Sequence, residues 1–154
     1  MNVVLEHSDQ VPWYTDIAAT FAAMGVDPRD YEWYVSDVET NVSVPMLNEG
    51  DTWMTGDELA SVLQKSVQFI WAVFSAFPRG VRVEVDSAPS ADGNPHFWRP
   101  PEVSPQLPGA CFEVVCWDSS ATILIGVSGE QAERFSRTYP DAKPLSSTWP
   151  KESR

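Results

Sequence analysis

Residues 111–127, CFEVVCWDSSATILIGV, carry the clearest β-hairpin pattern of the chain and decide its fold class. Two runs rich in β-branched and aromatic residues, 111–117 and 121–127, flank a short polar segment at 118–120. Runs of this kind, separated by a few turn-forming residues, are typical of two adjacent antiparallel strands. The sequence therefore predicts an antiparallel hairpin in the C-terminal half.

Helix-start signals lie on both sides of this hairpin. Downstream, residues 128–131, SGEQ, fit a capping box and predict a short helix to about Tyr139, which Pro140 ends. Upstream, residues 55–58, TGDE, fit a second capping box, and apolar residues then recur at helical spacing until Pro78. This pattern predicts one long helix at the centre of the core. Its apolar face comprises Leu59, Val62, Leu63, Val67, Ile70, Val73, Phe74 and Phe77, whereas Phe69 and Trp71 face either a second layer or solvent.

The N-terminal part begins with a predicted helix over residues 12–24. Ser8 or Asp9 is placed to cap this helix, and Gly25 is a natural stop. Alternating apolar and polar residues over 31–35 then predict a short, half-buried strand. The apolar stripe of the first helix comprises Trp13, Ile17, Phe21 and Met24.

The segment between the long helix and the hairpin is predicted to be mostly loop. Valines alternate with charged residues over 81–85, which predicts a strand. Residues 86–109 are rich in Pro, Ser and Gly and predict a long ordered loop with a short extended piece at 96–99. A loop of this length is often functional. At the end of the chain we expect residues 148–154 to fray.

This order of elements predicts an α+β fold in a single globular domain over residues 1–154. We expect an antiparallel sheet that includes the C-terminal hairpin and is packed on one face by a long central helix and two shorter helices. The chain length of 154 residues fits one domain, and no linker separates two cores.

Charge is the unusual property of the composition. The chain has 10 Lys and Arg residues against 22 Asp and Glu residues, a net charge of −12. Residues 1–60 contain twelve acids and one base, Arg29, so nearly all of the excess lies there. Because dispersed charges would also keep a domain in solution, this clustering favours either a solvated face or an interface for a basic partner.

The same charge excludes some partner classes. It argues against nucleic acid, because phosphate binding needs a basic surface, and against docking on an anionic membrane. The N-terminus lacks the basic and long apolar regions of a signal peptide, and no apolar stretch is long enough to span a bilayer. Cys111 and Cys116 would point to opposite faces of a strand and are predicted to be free thiols in a reducing compartment. Together these features predict a cytoplasmic protein.

No catalytic or metal-binding motif stands out in the sequence. The two His and two Cys residues lack zinc-ligand spacing, and Ser119 and Ser120 lack the glycines of a nucleophile elbow. The glycines at 126–129 precede a helix but lack the lysine of a phosphate-binding loop. We therefore expect no catalytic residues, no metal and no cofactor, with a small hydrolase-type enzyme kept as an alternative.

The acidic segment also holds two tryptophans that could anchor a partner. Trp33 and Trp53 stand among carboxylates, and interfaces use aromatic side chains as anchors while carboxylates pair with Arg or Lys and steer association. The predicted partner-binding residues are Asp27, Asp30, Glu32, Trp33, Asp37, Glu39, Glu49, Asp51 and Trp53.

Several residues of the C-terminal half form a recognisable pattern. They are CWDSSATI at 116–123 and, in the helix and turn that follow, Phe135, Tyr139, Pro140 and Leu145. Over about residues 110–146 this pattern resembles the ends of small cytoplasmic immunity proteins. Those proteins belong to bacterial toxin–immunity systems, both contact-dependent and type VI-secreted.

The resemblance implies an acidic α+β domain without catalytic motifs that binds and neutralises a cognate protein toxin. It carries over no functional residues, because the interface differs among immunity families, and it implies that the WDSS stretch is scaffold. Together with the charge of residues 1–60, it leads us to expect an acidic face that occludes the basic active cleft of a toxin, above all a nuclease-like one. An acidic adaptor domain without a toxin partner is a further alternative.

Overall fold

The computed structural model describes residues 1–11, 13 and 15–151 of the chain. Their fold is built on one antiparallel sheet of seven strands, which confirms the predicted α+β class and single sheet. In chain order the strands are β1 (Val3–Glu6), β2 (Tyr31–Thr40), β3 (Thr52–Thr55), β4 (Phe69–Pro78), β5 (Phe112–Trp117), β6 (Ala121–Ile125) and β7 (Lys143–Pro144).

In space the strands follow the order β3-β2-β4-β5-β6-β1-β7, so β3 and β7 form the two edges. The longest strands, β2 and β4, pair with each other, and β4 also pairs with β5. The helices are α1 (Ile17–Met24), α2 (Pro45–Asn48), α3 (Gly56–Val62) and α4 (Gly129–Thr138), with short 3-10 turns at Pro28–Asp30, Pro95–Trp98 and Leu145–Thr148.

The predicted hairpin is confirmed as strands β5 and β6. Its turn begins at Trp117, whose carbonyl oxygen accepts a hydrogen bond from the Ser120 amide at 2.9 Å. Asp118 and Ser119 between them both have positive φ angles, 49° and 54°. Two successive positive φ angles define the type I′ turn, whose twist matches that of antiparallel strands. The short polar side chains at these positions tolerate this conformation.

The two capping boxes predict helix starts correctly, whereas the predicted start of the first helix is wrong. Both capping boxes are present: Thr55 with Glu58 opens α3, and Ser128 with Gln131 opens α4. The first helix, however, starts at Ile17 with Asp16 as its cap, so the prediction of a start near residue 12 with a cap at Ser8 or Asp9 is wrong. Residue 12 itself lies outside the described residues.

The predicted long helix over residues 55–77 is wrong in its second half. Helix α3 ends at Val62, and the chain returns as strand β4. Side chains of β4 are buried on both faces of the sheet, so its sequence is a continuous apolar run without the alternation of a half-buried strand. Such a run fits a helical pattern and a strand equally well, and here the strand forms.

The sheet is covered on both faces. Helices α1, α3 and α4 pack on one face, where the core includes Phe21, Trp33 and Phe74. The opposite face is covered by residues 81–110, which we call the cover segment. Phe97 and Ala91 from this segment pack on the sheet side chains Val4, Val73, Val115, Ile123 and Ile125.

The cover segment differs from its sequence prediction in two places. Residues 81–85 form no strand; Val83 and Val85 instead pack as half-buried side chains near Tyr34. The piece at 96–99 that we predicted to be extended falls largely in the 3-10 turn Pro95–Trp98. At the end of the chain, the indole N–H of Trp149 donates to the Phe97 carbonyl at 3.2 Å, so this part of the expected frayed end packs on the cover segment.

Candidate functional site

Most of the acidic residues of the N-terminal segment gather at one edge of the sheet. Strands β2 and β3, with the turns that flank them, span residues 27–58 and contain nine acids and one base. We call this region the acidic edge. Strand β1 lies on the far side of the sheet, where Glu6 pairs with Lys143 at 3.2 Å. All nine predicted partner-binding residues therefore lie in one region, although not as one surface.

Asp27 and Asp30 lie at the turn that precedes β2. The Asp27 carboxylate accepts from the Arg29 amide at 3.0 Å and caps the 3-10 turn Pro28–Asp30. It also lies 3.9 Å from the Arg29 guanidinium, at the outer limit of an ion pair. Asp30 is exposed. Of the two residues, Asp30 presents its carboxylate to a partner without a local task.

Glu32 is buried, and its charge is balanced within the protein. The Arg82 guanidinium donates to its carboxylate at 2.5 Å, and the Gly80 amide donates at 3.3 Å. Only 7% of the Glu32 side chain is exposed. Glu32 thus ties the start of the cover segment to β2 and offers little charge to an outside partner. No sequence pattern predicted the pairing with Arg82, because the two residues lie 50 positions apart in the chain.

Trp33 is a core residue. Its side chain is not accessible to a partner, although we predicted that it would anchor one. Its side chain is fully buried on the helix face of the sheet, against Phe21 and Phe112. Its indole N–H donates to the Pro28 carbonyl at 2.9 Å. The prediction relied on the acidic neighbours of Trp33 in the sequence. In a strand, successive side chains point to opposite faces of the sheet, so Glu32 does not share a face with Trp33.

Asp37 and Asp51 hold an irregular region of β2 in place. Pairing with β4 shifts register between Ser36 and Glu39, and Asp37 has a positive φ of 54°. The Asp37 carboxylate accepts from the amides of Ala91 and Asp92 at 2.7 and 2.9 Å, and the Asp37 amide donates to Asp51 at 2.9 Å. The two carboxylates therefore fasten the cover segment and β3 to the bulged strand.

Glu39 and Glu49 are exposed near the same end of β2. Among the described residues neither forms an ion pair, and the same is true of Asp30, Asp37 and Asp51. A strand rises about 3.3 Å per residue, so the group around Asp37 lies about 20 Å from Asp30. The acidic edge thus has two ends, one at Asp30 and the other at Asp37, Glu39, Glu49 and Asp51.

Trp53 lies between these two ends on the edge strand β3. Its ring packs against Tyr34 and Phe77, each with ring centroids 5.2 Å away. The Arg82 guanidinium carbon lies 5.9 Å from the centre of the Trp53 ring, within range of a cation–π contact. Because Trp53 is half-buried, it keeps part of its ring at the surface, as an interface anchor would.

Two further acids belong to the Asp30 end. Asp57 and Glu58 begin helix α3 and are exposed. The start of α3 packs tightly on the turn before β2, since a Cβ atom added at Gly56 would lie 2.3 Å from the Pro28 carbonyl oxygen. The capping box showed the roles of Asp57 and Glu58 in the helix, but nothing in the sequence placed them beside Asp30.

Ionisable groups under the cover segment have shifted pKa values. Burial raises the pKa of the Tyr34 hydroxyl, and the nearby negative charge of Asp51 raises it further. Burial also raises the pKa of Glu113, a fully buried residue on β5. Hydrogen bonds from three donors to its carboxylate partly offset this rise. Both cysteines are free, as predicted, with Cys111 exposed and Cys116 buried.

Within residues 1–11, 13 and 15–151, no three His, Cys, Asp or Glu side chains are grouped so that they could hold a metal ion. No helix in the described part of the chain is both long and apolar enough to cross a membrane. Comparisons with protein-family models, curated proteins and solved structures found no match for this chain.

Proposed function

We propose that this chain is an immunity protein that binds and neutralises a protein toxin with a basic, nuclease-like active cleft. The observation that carries the proposal is the acidic edge, where nine acids and one base share one side of the sheet. Seven of these nine carboxylates form no ion pair within the described residues. A basic partner would supply the missing counter-charges.

Inhibition in this proposal is occlusion combined with electrostatic attraction. Exposed carboxylates on one face accelerate association with a basic surface and favour the correct orientation. Asp30, Glu39 and Glu49 are the residues best placed for this, because each is exposed and none has an ion-pair partner among the described residues. Trp53 would supply apolar contact area between them.

The acidic edge is also held rigidly, which favours binding without a large ordering cost. Asp37 and Asp51 fix the bulge of β2, and Glu32 with Arg82 fixes the start of the cover segment. A preorganised surface loses less conformational entropy on association. The carboxylates that accept these hydrogen bonds therefore support the exposed carboxylates that form none in the described part of the chain.

The proposal is tested with the product of the gene next to the one that encodes this chain. Purified chain and toxin are mixed to measure affinity, and co-expression measures rescue of growth. We expect the double variant Glu39→Lys/Glu49→Lys to weaken binding at least about tenfold, about 1.4 kcal/mol, and to abolish most of its salt dependence.

The matched control changes the same number of charges elsewhere. Asp9 and Glu102 are exposed and lie outside the acidic edge, so Asp9→Lys/Glu102→Lys alters the net charge equally. This control should bind and rescue like the native chain. Equal loss in both double variants would show that only net charge matters, and no rescue by the native chain would overturn the proposed function.

A further inference from the structure

The two edges of the sheet are protected to different degrees. At one edge, β7 has two residues, Lys143 and Pro144, and lysine and proline are common means of preventing strand addition. At the other edge, β3 has the sequence TWMT, with no lysine, no proline and an unbroken register with β2. An edge strand without these protections is a template for pairing with another chain.

The hydrogen-bonding direction of β3 follows from its neighbours. Along an antiparallel strand, the main-chain N–H and C=O groups of one residue point towards the partner strand and those of the next residue point away from it. Below, a residue is said to face the side to which these main-chain groups point. The Thr55 amide donates to the Glu58 side chain rather than to β2, at 3.0 Å, so Thr55 faces outward. Trp53, two residues earlier, faces the same way. Its N–H and C=O groups are therefore the ones that an added strand would meet, although the C=O also accepts from the Thr52 hydroxyl at 3.2 Å.

The pairing on the far side of β2 gives the same assignment. The Ala76 carbonyl of β4 accepts from the amide of Cys111, which directly precedes β5. The main-chain groups of Ala76 therefore point towards β5, and those of Ser75 point towards β2. Ser75 pairs with Tyr34, so Tyr34 faces β4 and not β3. Trp53 pairs with Tyr34 and must then face outward from the sheet.

Carboxylates lie at both ends of this open edge. Glu49 and Asp51 precede β3, Asp57 and Glu58 follow it, and no base occurs over residues 49–58. Antiparallel pairing of two copies through β3 would bring one acidic end against the other, and like charges would oppose it. An extended segment carrying Lys or Arg would meet opposite charges at both ends. The edge is thus open to a basic strand and unfavourable for a second copy.

We propose that β3 binds an extended, basic segment of a partner protein as an added eighth strand, through the main chain of Trp53. The identity of that partner as a toxin rests on the proposed function above, but the added strand does not. Main-chain hydrogen bonds would supply affinity, and the flanking carboxylates would select a basic segment.

The first test uses peptides and the native chain. The probe is a short peptide of alternating lysine and threonine, and its control is the same peptide with alternate backbone amides methylated. Methylation keeps the charge but blocks strand pairing. We expect the unmodified peptide to bind at least about tenfold more tightly than the control and to slow hydrogen exchange of the Trp53 amide. Equal affinities, or exchange unchanged at Trp53, would overturn the added strand.

The second test separates the Trp53 main chain from its ring. Trp53→Pro and Trp53→Ala both remove the ring, but only the proline removes the outward N–H, which is not used in pairing with β2. We expect Trp53→Pro to bind the peptide at least about tenfold more weakly than Trp53→Ala. Circular dichroism checks that both variants are folded, and the methylated peptide needs no variant at all.

The outcomes separate this inference from the proposed function. If the toxin is neutralised equally by Trp53→Pro and Trp53→Ala, the immunity function stands and the added strand is wrong. If the peptide binds at Trp53 but the neighbouring gene product is not neutralised, the added strand stands and the immunity function is wrong. Dimerisation of the native chain at low salt, with loss of the dimer in Trp53→Pro but not Trp53→Ala, would show that the edge serves a second copy and would also overturn it.

Discussion

Some carboxylates of the acidic edge stabilise the fold through hydrogen bonds or ion pairs, and others form no such contact within the described residues. Asp27 caps a turn, Glu32 neutralises Arg82, and Asp37 with Asp51 fastens a bulge. Each of these groups accepts hydrogen bonds from neighbouring backbone or guanidinium groups, and a substitution there would disturb the local fold before it disturbed an interface. Asp30, Glu39 and Glu49 are exposed and free of such tasks in the described structure, so they report most directly on binding.

Glu113 shows the same structural use of a carboxylate under the cover segment. The amides of Gln106 and Leu107 donate to it at 2.5 and 3.1 Å, and the Ser75 hydroxyl donates at 2.6 Å. It thereby ties the cover segment to β5 and β4. Its cross-strand neighbours on the sheet, Ser75 and Ile125, are uncharged, and no Lys, Arg or His of the described residues forms an ion pair with it.

The shifted pKa of Glu113 predicts how stability depends on pH. Burial raises this pKa above that of an unfolded glutamate, so the folded state favours the protonated form. The associated stability is fully present below the unfolded pKa and is lost as pH rises through the folded pKa. Each unit of the shift corresponds to about 1.4 kcal/mol.

Glu113→Gln isolates this effect, because it keeps the shape and removes the titration. We expect the free energy of unfolding of the native chain, minus that of Glu113→Gln, to fall as pH rises across this window. Urea unfolding at a series of pH values measures the difference, and the other carboxylates cancel. A difference that stays constant with pH would contradict the prediction.

Short-range signals explain which elements could be predicted from the sequence. The hairpin and the two capping boxes depend on residues within a few positions of each other, and all three are present. The segment Phe69–Pro78 fails this condition, because its apolar run is buried by elements distant in the chain on both sides. Strand pairing also decided the site, since it buried Trp33 and left Trp53 at the edge.

The two capped helices provide a matched pair of glycines. Gly56 and Gly129 are the first residues of α3 and α4, directly after their caps. A Cβ atom at Gly56 would overlap backbone atoms of the turn before β2, whereas one at Gly129 would meet only Met1 Sδ at 3.9 Å. The element context therefore differs although the local sequence patterns agree.

Substitution by alanine should separate these two positions. We expect Gly56→Ala to lower the free energy of unfolding by about 1–3 kcal/mol or more, because backbone must move to relieve the overlap. Gly129→Ala should be neutral or stabilising by up to about 1 kcal/mol, as alanine favours a helix. Thermal and urea unfolding of both variants measure the effects. Similar stabilities would show that α3 does not pack on Pro28 as described.

At the scale of the whole molecule, charge and topology divide the sheet into two halves. Strand β1 lies beside β6 and β7, so its one acid, Glu6, sits apart from those of β2 and β3 although all belong to residues 1–60. The sequence showed how many acids the segment contains, but only the strand order shows which of them share a surface. This segregation places like charges together, which opposes folding at low ionic strength.

The acidic edge should therefore make stability depend on salt. Raising the ionic strength from about 0.01 to 0.15 M shortens the screening length from about 30 to 8 Å. We expect this change to raise the free energy of unfolding of the native chain by roughly 0.5–1 kcal/mol, because like charges within the edge are screened. The double variant Glu39→Lys/Glu49→Lys should be more stable than the native chain at low salt, and its stability should respond less to added salt.

The control Asp9→Lys/Glu102→Lys should keep most of the native response to salt, since it leaves the edge unchanged. Urea unfolding at each ionic strength measures these differences, and an equal loss of response in both variants would show that the repulsion belongs to the net charge rather than to the edge. In our proposal, binding of the basic partner offsets this cost in stability, because its positive charges relieve the repulsion within the edge.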